Sequence, residues 1–317
     1  MKHKPLIAVI GATGAQGGGL ARAILDDPDS PFAVRAITRH ADSEKALALA
    51  AKGAEVVTAD LDDEASLERA FHGVHGAYFV TNFWEHFSPE REDSQARNLA
   101  QAARTAGIHH AIWSTLEDTR NWVPLDDPRM PTLMGHYKVP HFDAKGAANA
   151  HFITAGVPTT FLLTSFYWDN LIHFGMGPKP GPDGLLALTL PIADARLPGI
   201  AVEDIGRCAY GILRRGDEFI GKTVGIAGEF LTGAQMAQGL AEALGQPVQY
   251  HAVTPDQYRA FDFPGADDLG NMFQFNRDFE RDFCAARDPA LARELNPRLQ
   301  TYAQWLAANA RRIPLGG

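Results

Sequence analysis

The first half of the chain alternates short apolar runs with amphipathic segments. The apolar runs, which predict strands, are Leu6 to Ile10, Ala33 to Thr38, Glu55 to Ala59, Gly76 to Thr81, Ala111 to Ser114 and Thr159 to Leu163. The segments between them, which predict helices, are Gly18 to Asp26, Ser43 to Lys52, Asp63 to Phe71, Pro89 to Ala106 and Pro140 to Ala155. Short apolar strands separated by amphipathic helices are typical of βαβ units, whose parallel sheet is covered on both faces. The pattern predicts an α/β fold with a Rossmann-type doubly wound parallel sheet.

The pattern changes after Leu163. A Pro/Gly-rich connection (175–184) precedes a predicted strand (185–190), a helix (204–214) and another strand (223–227), and Thr232, Thr254 and Thr301 suit helix N-caps. We expect a smaller, mixed and mostly helical C-terminal domain over the carboxyl edge of the sheet, where open α/β folds bind ligands. The predicted domains are 1–165 plus about 200–230 for the Rossmann domain, and about 166–199 and 231–317 for the smaller one.

Composition and charge restrict the partners. With 317 residues and a net charge of -9, the chain lacks the clustered Lys and Arg that phosphate backbones and anionic membranes require, so we expect no direct nucleic-acid contact. Cys208 and Cys284 have no CxxC spacing, and the histidines show no metal-ligand pattern. The chain begins without a signal-peptide h-region, and no apolar run reaches membrane-spanning length, so a cytoplasmic protein without a metal site is expected.

A glycine-rich turn carries the strongest local chemistry. Gly11-Ala-Thr-Gly14-Ala-Gln-Gly17 lies between the first predicted strand and the first predicted helix. In this context Gly11 permits a tight turn, Gly14 lets backbone amides approach a pyrophosphate, and Gly17 lets the helix pack closely on the strand. The helix N-terminus then points at the anion. The motif predicts a dinucleotide site.

The end of the second strand indicates which dinucleotide. NAD-binding domains place a carboxylate here for the ribose 2′-hydroxyl, whereas this chain has Ile37-Thr38-Arg39-His40. A guanidinium can hold a 2′-phosphate through two parallel hydrogen bonds, so Arg39 predicts NADP(H). The alternative is an incidental surface arginine. Asp60, which ends the third strand, either borders the adenine or caps the following helix.

These motifs, with four further segments, resemble the NmrA-like family of atypical short-chain dehydrogenases, and within it the HSCARG-type NADPH-sensing branch. The further segments are the Arg-bearing second strand, Val80-Thr-Asn-Phe-Trp-Glu85, His141-Phe-Asp-Ala-Lys-Gly146 and Phe263-Pro-Gly-Ala-Asp-Asp-Leu-Gly-Asn-Met-Phe273. The resemblance covers the chain from Ile7 to about Trp305, and its last segment is more specific than the glycine turn. Members include regulators that sense the oxidised-to-reduced cofactor ratio and also reductases.

The resemblance also implies a set of cofactor-binding residues. The pyrophosphate would be held at the glycine turn, the 2′-phosphate by Arg39, the adenine at the third strand, and the nicotinamide-proximal part by residues after the fourth strand, with Lys145 on the ribose. Residues 167–170 would close the pocket. The implied residues are Gly11, Ala12, Thr13, Gly14, Ala15, Gln16, Gly17, Arg39, Asp60, Leu61, Thr81, Asn82, Phe83, Lys145, Tyr167, Trp168, Asp169 and Asn170.

The catalytic residues of short-chain dehydrogenases are only partly present. Those enzymes use Tyr-x-x-x-Lys, in which the tyrosine passes a proton while hydride arrives from the cofactor. Here His141 stands four residues before Lys145, on the same helix face. Ser114 stands at the end of a predicted strand, at the place where those enzymes carry the serine that polarises the substrate. Histidine titrates near neutrality and could act as the acid, or serve the structure or the cofactor. Tyr137 is expected in the loop before the helix and is a poor substitute.

Two functions follow from these residues. An intact cofactor site beside a catalytic Ser-Tyr-Lys set that lacks its tyrosine favours a redox sensor, a protein whose affinity for a partner differs between cofactor states. The alternative is an NADPH-dependent reductase of a quinone, an enal or another small carbonyl compound. Its pocket would be shaped by aromatic residues that could equally be plain core: Phe83, Trp84, Phe87, Phe166, Tyr167 and Trp168. A protein partner for the C-terminal domain and a homodimer are possible, and the sequence identifies neither.

Overall fold

The computed structural model describes residues 4–181 and 183–316. Its strands are β1 (Leu6–Ile10), β2 (Ala33–Thr38), β3 (Glu55–Thr58), β4 (Gly76–Phe79), β5 (His110–Thr115), β6 (Thr159–Leu163), β7 (Phe166–Tyr167), β8 (Lys179–Pro180), β9 (Leu186–Leu190), β10 (Arg196–Ile200), β11 (Thr223–Gly225), β12 (Glu229–Thr232) and β13 (Val248–Ala252).

Helices connect these strands and complete the C-terminal part. They are α1 (Ala15–Leu25), α2 (Glu44–Ala51), α3 (Glu64–Phe71), α4 (Pro89–Thr105), α5 (Pro140–Ala155), α6 (Asn170–His173), α7 (Val202–Arg214), α8 (Gly233–Leu244), α9 (Pro255–Arg259), α10 (Ala266–Asp278), α11 (Glu280–Ala285), α12 (Pro289–Leu295) and α13 (Tyr302–Asn309). Short 3-10 turns occupy Phe83–Glu85, Thr119–Asn121, Gly216–Phe219 and Ala310–Arg312.

A seven-stranded parallel sheet forms the centre of the molecule, in the order β11-β6-β5-β4-β1-β2-β3. The predicted Rossmann-type doubly wound sheet is therefore confirmed. The chain runs outward from β1 to β3, then returns to place β4 on the other side of β1. Ligands of open α/β sheets bind at the carboxyl ends of the strands where this reversal occurs, so the topology places a crevice beyond Ile10 and Phe79.

The C-terminal part is mixed, with two small sheets beside its helices. One sheet has the order β12-β10-β7 and the other β13-β9-β8. Of these strands the pattern predicts only β9. Strands β7 and β8 have two residues each, β10 contains Leu-Pro-Gly, and β12 and β13 mix polar with apolar residues and have no buried position. The predicted N-caps at Thr232, Thr254 and Thr301 are confirmed, and each forms a capping box with the glutamine three residues later. The division into two domains stays a prediction.

Helix α1 begins three residues earlier than predicted because Gly14 serves as its N-cap. The helix then packs so closely that side chains are excluded at two contacts. A Cβ on Gly17 would lie 2.5 Å from the carbonyl oxygen of Ile10, and a Cβ on Gly206 of α7 would lie 2.1 Å from the backbone nitrogen of Leu20. The expected close approach of helix and strand at Gly17 is therefore present.

Neither a membrane-spanning helix nor a metal site is found in the described residues. Between residues 4 and 316, Pro182 aside, no helix combines the length and hydropathy needed to cross a bilayer. The same part of the chain holds no group of three or more His, Cys, Asp and Glu side chains arranged around a metal position. Cys208 and Cys284 are both buried and unlinked.

A buried histidine of β5 makes stability depend on pH. His110 is 4% exposed, its Nε2 lies 2.8 Å from Thr160 Oγ1, and burial lowers its pKa to about 4. Because the unfolded chain takes up this proton near pH 6.5, stability is complete above that pH and falls as the pH drops toward 4. The expected loss is about 3 kcal/mol, from about 1.4 kcal/mol per pKa unit. Urea unfolding at several pH values measures it. His110→Leu should flatten the slope, and an unchanged slope would contradict the assignment.

Candidate functional site

A cleft of about 510 Å³ opens at the carboxyl edge of the parallel sheet, where the topology places a crevice. One side is formed by the segments that follow β1 to β4, and the other by residues of α5, α10 and the segment after β6. Of the residues that the sequence assigned to the site, those lining the cleft are Gly11, Thr13, Gly14, Ala15, Gln16, Gly17, Arg39, Asp60, Leu61, Thr81, Asn82, Phe83, His141, Lys145, Tyr167, Asp169 and Asn170.

Three of the assigned residues do not line the cleft. Ala12 is fully buried beneath the glycine turn. Ser114 is buried, and its hydroxyl donates to Gln16 Oε1 at 2.8 Å, so the group expected to polarise a substrate is already used inside the protein. The Trp168 ring packs over Gly199, where a Cβ would lie 2.2 Å from Nε1. These side chains support the cleft from behind.

The glycine turn provides an anion site. Gly11 has a φ of +64°, and its carbonyl oxygen accepts a hydrogen bond from the Gly14 backbone N–H at 2.8 Å. No side chain caps α1, so the first turn of the helix, which begins at the exposed Ala15, keeps backbone N–H groups without a capping side chain. Free amides at the positive end of a helix dipole bind phosphate. The turn therefore fits a pyrophosphate.

The guanidinium of Arg39 reaches across the mouth of the cleft to Glu85. Its Nη2 lies 3.0 Å from both carboxylate oxygens, and both side chains are about half exposed. Asn82 Nδ2 donates to the same carboxylate at 3.1 Å. An ion pair this exposed contributes about 0–1 kcal/mol, so a phosphate dianion can displace it. Asp60 lies beside this region and does not cap α3, because Asp63 holds the N-cap position.

Gln16 joins α1 to the central strands and to the far wall of the cleft. Its Oε1 accepts hydrogen bonds from Tyr78 and Ser114, and its Nε2 donates to the Tyr167 hydroxyl at 2.5 Å. Burial raises the pKa of Tyr167, so this phenol is neutral and holds its proton at physiological pH. The network fixes Tyr167 at the edge of the cleft and leaves Gln16 with both of its polar atoms in use.

Lys145 contacts a buried carboxylate that the sequence did not single out. Its Nζ lies 2.9 Å from the Thr81 carbonyl oxygen and 2.6 Å from Thr81 Oγ1, and it forms an ion pair with Glu92. Glu92 has no exposed surface, and its other oxygen faces His86 Nε2 at 3.6 Å. The His86 Nδ1 accepts the Ser88 backbone N–H, so Nε2 carries the proton and points toward the carboxylate. Burial lowers the pKa of His86. The contacts with Thr81 and Glu92 therefore hold the Lys145 ammonium against the segment that follows β4.

His141 forms a buried dyad with Asp268 of α10. Its Nδ1 lies 2.6 Å from Asp268 Oδ1, and its backbone N–H donates to Oδ2 at 3.2 Å. A carboxylate this close requires a proton on Nδ1, so the second nitrogen, Nε2, is the one that can face a ligand. Nε2 has no hydrogen-bond partner within residues 4–181 and 183–316. An imidazole oriented by a carboxylate in a cleft is the arrangement that general acid–base catalysis uses.

Aromatic residues form the remaining wall of the cleft. Phe83, Trp84, Phe166 and Tyr167 line it, whereas Phe87 and Trp168 do not. The Trp84 ring centroid lies 4.8 Å from that of His141. Tyr137 is in the loop before α5, as expected, where its ring packs under the Arg120 guanidinium away from the cleft. Tyr137 therefore cannot supply the phenol that is missing from the Tyr-x-x-x-Lys pattern.

Known proteins share both the fold and the sequence pattern. The negative transcriptional regulator NmrA has a TM-score of 0.80 with 23% identity, covering 98% of this chain and 96% of that one. The Citrobacter sp. triphenylmethane reductase, solved with NADP(H), has a TM-score of 0.75 with 22% identity, covering 96% and 99%. FrzB of Cladobotryum sp, an NmrA-like family domain-containing oxidoreductase, is 28% identical over 290 residues, covering 86% of this chain and 84% of the relative. Residues 3–306 match the NmrA-like family, to which this chain therefore belongs.

Proposed function

We propose that the protein is an NADPH-dependent reductase of a quinone or another small carbonyl compound. The observation that carries the proposal is the His141–Asp268 dyad, which presents an oriented imidazole to the same cleft that contains the glycine turn. FrzB, which bears the name oxidoreductase, and the Citrobacter reductase add support from within the family and the fold.

The residues present fit NADP(H). The uncapped first turn of α1 would hold the pyrophosphate, Arg39 the 2′-phosphate, and Asp60 with Leu61 would border the adenine. Asn82 and Phe83 would lie along the nicotinamide-proximal part, and Lys145 would approach the ribose. When bound in its reduced form, this cofactor supplies a hydride.

The chain's own contribution to the reaction is a proton. Reduction of a carbonyl adds a hydride to carbon and a proton to oxygen, and His141 Nε2 is placed to donate that proton from the imidazolium form. Asp268 stabilises the charged ring through Nδ1 and fixes its orientation. After turnover the neutral imidazole recovers its proton from water. The apolar walls limit access of water to the reacting group.

A turnover assay tests the proposal. The purified protein is incubated with NADPH and a panel of quinones, enals and aldehydes, and oxidation of NADPH is followed by absorbance. We expect turnover in the range of about 1 per second or faster for at least one compound, a typical enzyme rate. The absence of turnover with every quinone and carbonyl compound, in a protein that binds NADPH, would refute the reductase.

A redox sensor is the second candidate, and one contact favours it. Glu85, which holds Arg39, is adjacent to Trp84, and the Trp84 ring lies against Gly265 at the start of α10. A 2′-phosphate that releases Glu85 would therefore act on a segment that reaches the C-terminal helices. Calorimetry and limited proteolysis in the empty, NADP-bound and NADPH-bound states test this, and identical behaviour in all three would refute sensing. A partner on the C-terminal region, a homodimer and membership of the HSCARG-type branch stay predictions.

Arg39→Ala is expected to weaken NADP(H) binding by about 1.5 to 3 kcal/mol, because a charge-assisted contact to the 2′-phosphate is lost. NAD(H), which lacks this phosphate, should bind with nearly unchanged affinity. Isothermal calorimetry with both cofactors measures the two effects. Equal losses for NADP(H) and NAD(H) would show that Arg39 does not recognise the 2′-phosphate.

Glu85→Gln is expected to have the opposite effect. The neutral amide no longer occupies the Arg39 guanidinium as an ion pair and no longer repels the incoming phosphate, so NADP(H) should bind more tightly by up to about 1 kcal/mol, the range for an exposed pair. The part of the gain that comes from freeing the guanidinium should disappear in the Arg39→Ala background, which serves as the control, so the gain there should be smaller. A gain of the same size for NAD(H) would mean that Glu85 acts on some other part of the cofactor.

A further inference from the structure

The ammonium of Lys145 has all three of its N–H groups engaged by the protein. They face the Thr81 carbonyl oxygen at 2.9 Å, Thr81 Oγ1 at 2.6 Å and the carboxylate oxygen Oε1 of Glu92. A lysine ammonium has three donors and no acceptor, so these contacts use its full capacity. Lys145 nevertheless lines the cleft, and 11% of its side chain is exposed. It therefore acts on a bound cofactor through its charge and not through a hydrogen bond.

That charge is balanced by Glu92, a residue that no ligand can touch. The Glu92 side chain has no exposed surface, and its Oε1 also accepts a hydrogen bond from Thr81 Oγ1. Its Oε2 faces His86 Nε2 at 3.6 Å. Burial lowers the pKa of His86, so this imidazole is neutral at pH 7. Within residues 4–181 and 183–316, Lys145 is thus the one cation that pairs with Glu92, and the pair carries no net charge.

Stability alone does not account for such a pair. Taking two charges out of water costs free energy that their attraction only partly returns, and apolar residues of the same volume often stabilise a protein at least as well. The arrangement is also one-sided, because the lysine lines the cleft whereas the glutamate is completely buried behind it. A carboxylate in this position controls the net charge that the cleft presents to a ligand.

This net charge matters because the two forms of the cofactor differ in charge. The oxidised nicotinamide ring carries one positive charge, and the reduced ring is neutral. Lys145 and Thr81 line the cleft together with Asn82 and Phe83, the residues assigned above to the nicotinamide-proximal part. A lone ammonium at this position would repel the oxidised ring and leave the reduced ring unaffected. The negative charge of Glu92 cancels most of that repulsion.

We infer that Glu92 sets the relative affinity of the site for oxidised NADP and NADPH, acting through Lys145 and without contact to the cofactor. The inference rests on the cofactor placement given under the proposed function, and it applies equally to a reductase and to a redox sensor. Without the carboxylate, NADPH would be favoured over oxidised NADP. The bound cofactor would then be a weaker reductant, because stronger binding of the reduced form opposes its oxidation.

Glu92→Gln tests the inference, because it removes the charge and keeps the shape and an acceptor oxygen for Lys145. We expect the dissociation constant of oxidised NADP to rise about ten-fold relative to that of NADPH. This is the effect of one unit charge at a separation on the order of 10 Å and an effective dielectric constant of about 20. For a two-electron couple the shift corresponds to about 30 mV. Isothermal calorimetry at pH 7 with both forms measures the ratio of the two constants.

The ratio separates this electrostatic role from a structural one. A lost contact that both forms share, or a loosened fold, changes the two dissociation constants alike and cancels in the ratio. The double variant Glu92→Gln/Lys145→Met has no ammonium left to repel the oxidised ring, so its ratio should return to within about two-fold of the wild type. A shift that persists in the double variant would overturn the inference.

Two matched controls complete the experiment. Glu92→Asp disturbs the packing but keeps the charge, so the wild-type ratio should be retained. Glu90→Gln makes the same chemical change on the same helix at an exposed position outside the cleft, where solvent screens the charge, and should also leave the ratio unchanged. An unaltered ratio in Glu92→Gln, or loss of binding of both cofactor forms in this variant, would overturn the inference.

The outcome is independent of the test of the proposed function. A shifted ratio in Glu92→Gln, together with no NADPH oxidation by any carbonyl compound, would leave the role of Glu92 in place and refute the reductase. Turnover of a quinone or carbonyl compound by the wild type, with no shift of the ratio in Glu92→Gln, would leave the reductase in place and refute the role of Glu92.

Discussion

Glu117→Met is expected to lower the free energy of unfolding by about 3–5 kcal/mol, the cost of leaving one partner of a buried ion pair alone. Glu117 accepts two hydrogen bonds from the Arg287 guanidinium, at 2.6 and 3.0 Å, and the Arg287 side chain is completely buried. Arg287 Nε donates to the Thr164 carbonyl oxygen at 2.8 Å, and the guanidinium lies 3.6 Å above the Phe283 ring. Urea unfolding measures the loss.

The double variant Glu117→Met/Arg287→Met is the control for this prediction. Removing both charges eliminates the unpaired guanidinium, so much of the lost stability should return, as it does when buried ion pairs are replaced by apolar residues. A loss below about 1 kcal/mol in the single variant would place the pair among exposed, weakly stabilising ones. Because Thr164 and Phe283 both line the cleft, ligand binding should weaken together with stability.

His141→Gln is expected to reduce kcat for the reductase reaction by about 10² to 10⁴, the usual contribution of a general acid. Glutamine can still donate to Asp268, so the buried carboxylate keeps a partner and the fold is preserved, whereas alanine would leave it alone. The dissociation constant for NADP(H) should stay close to that of the wild type, because the assigned cofactor contacts lie elsewhere. Steady-state kinetics with the best substrate of the panel, and calorimetry for the cofactor, supply the two measurements.

Asp268→Asn separates positioning from proton donation. The ring remains, but the neutral amide no longer stabilises the charged ring and no longer requires a proton on Nδ1, so kcat should fall by about 10²-fold or more while the dissociation constant for NADP(H) stays unchanged. A merely structural role for Asp268 would lower the melting temperature without this selective loss of kcat. Retention of more than a tenth of the wild-type kcat in His141→Gln would mean that water or another group supplies the proton.

Local patterns determine the part of the molecule that could be predicted. Strands β1, β2 and β6 have the predicted bounds because each is a short apolar run between turn residues. The same local order, strand followed by turn, places Gly14 and Arg39 at the sheet edge where the cleft opens. Strand ends in a parallel sheet point in one direction, so residues far apart in sequence could be assigned to one site.

Contacts between residues far apart in the sequence determine the part of the molecule that could not be predicted. Asp268 is 127 residues from His141, and its only signal was its place in the Phe263-to-Phe273 segment that the resemblance singled out. Glu92 is one of several acidic residues at the start of a polar helix, and no sequence pattern distinguishes the buried one from its exposed neighbours. Ser114 has the position expected of a substrate-contacting group, yet its hydroxyl donates to Gln16. Which partner a polar group selects depends on contacts that form only on folding.

The location of Trp84 gives the cleft an intrinsic optical reporter. Of the five tryptophans in the chain, Trp84 is the one that lines the cleft. Its ring makes an edge contact with Phe83 and a tilted contact with the His141 ring. Its emission therefore responds to whatever occupies either end of the cavity. Reduced nicotinamide absorbs where indole emits and oxidised nicotinamide does not, so energy transfer from tryptophan, most efficient from Trp84, distinguishes the two oxidation states of the bound cofactor without a label.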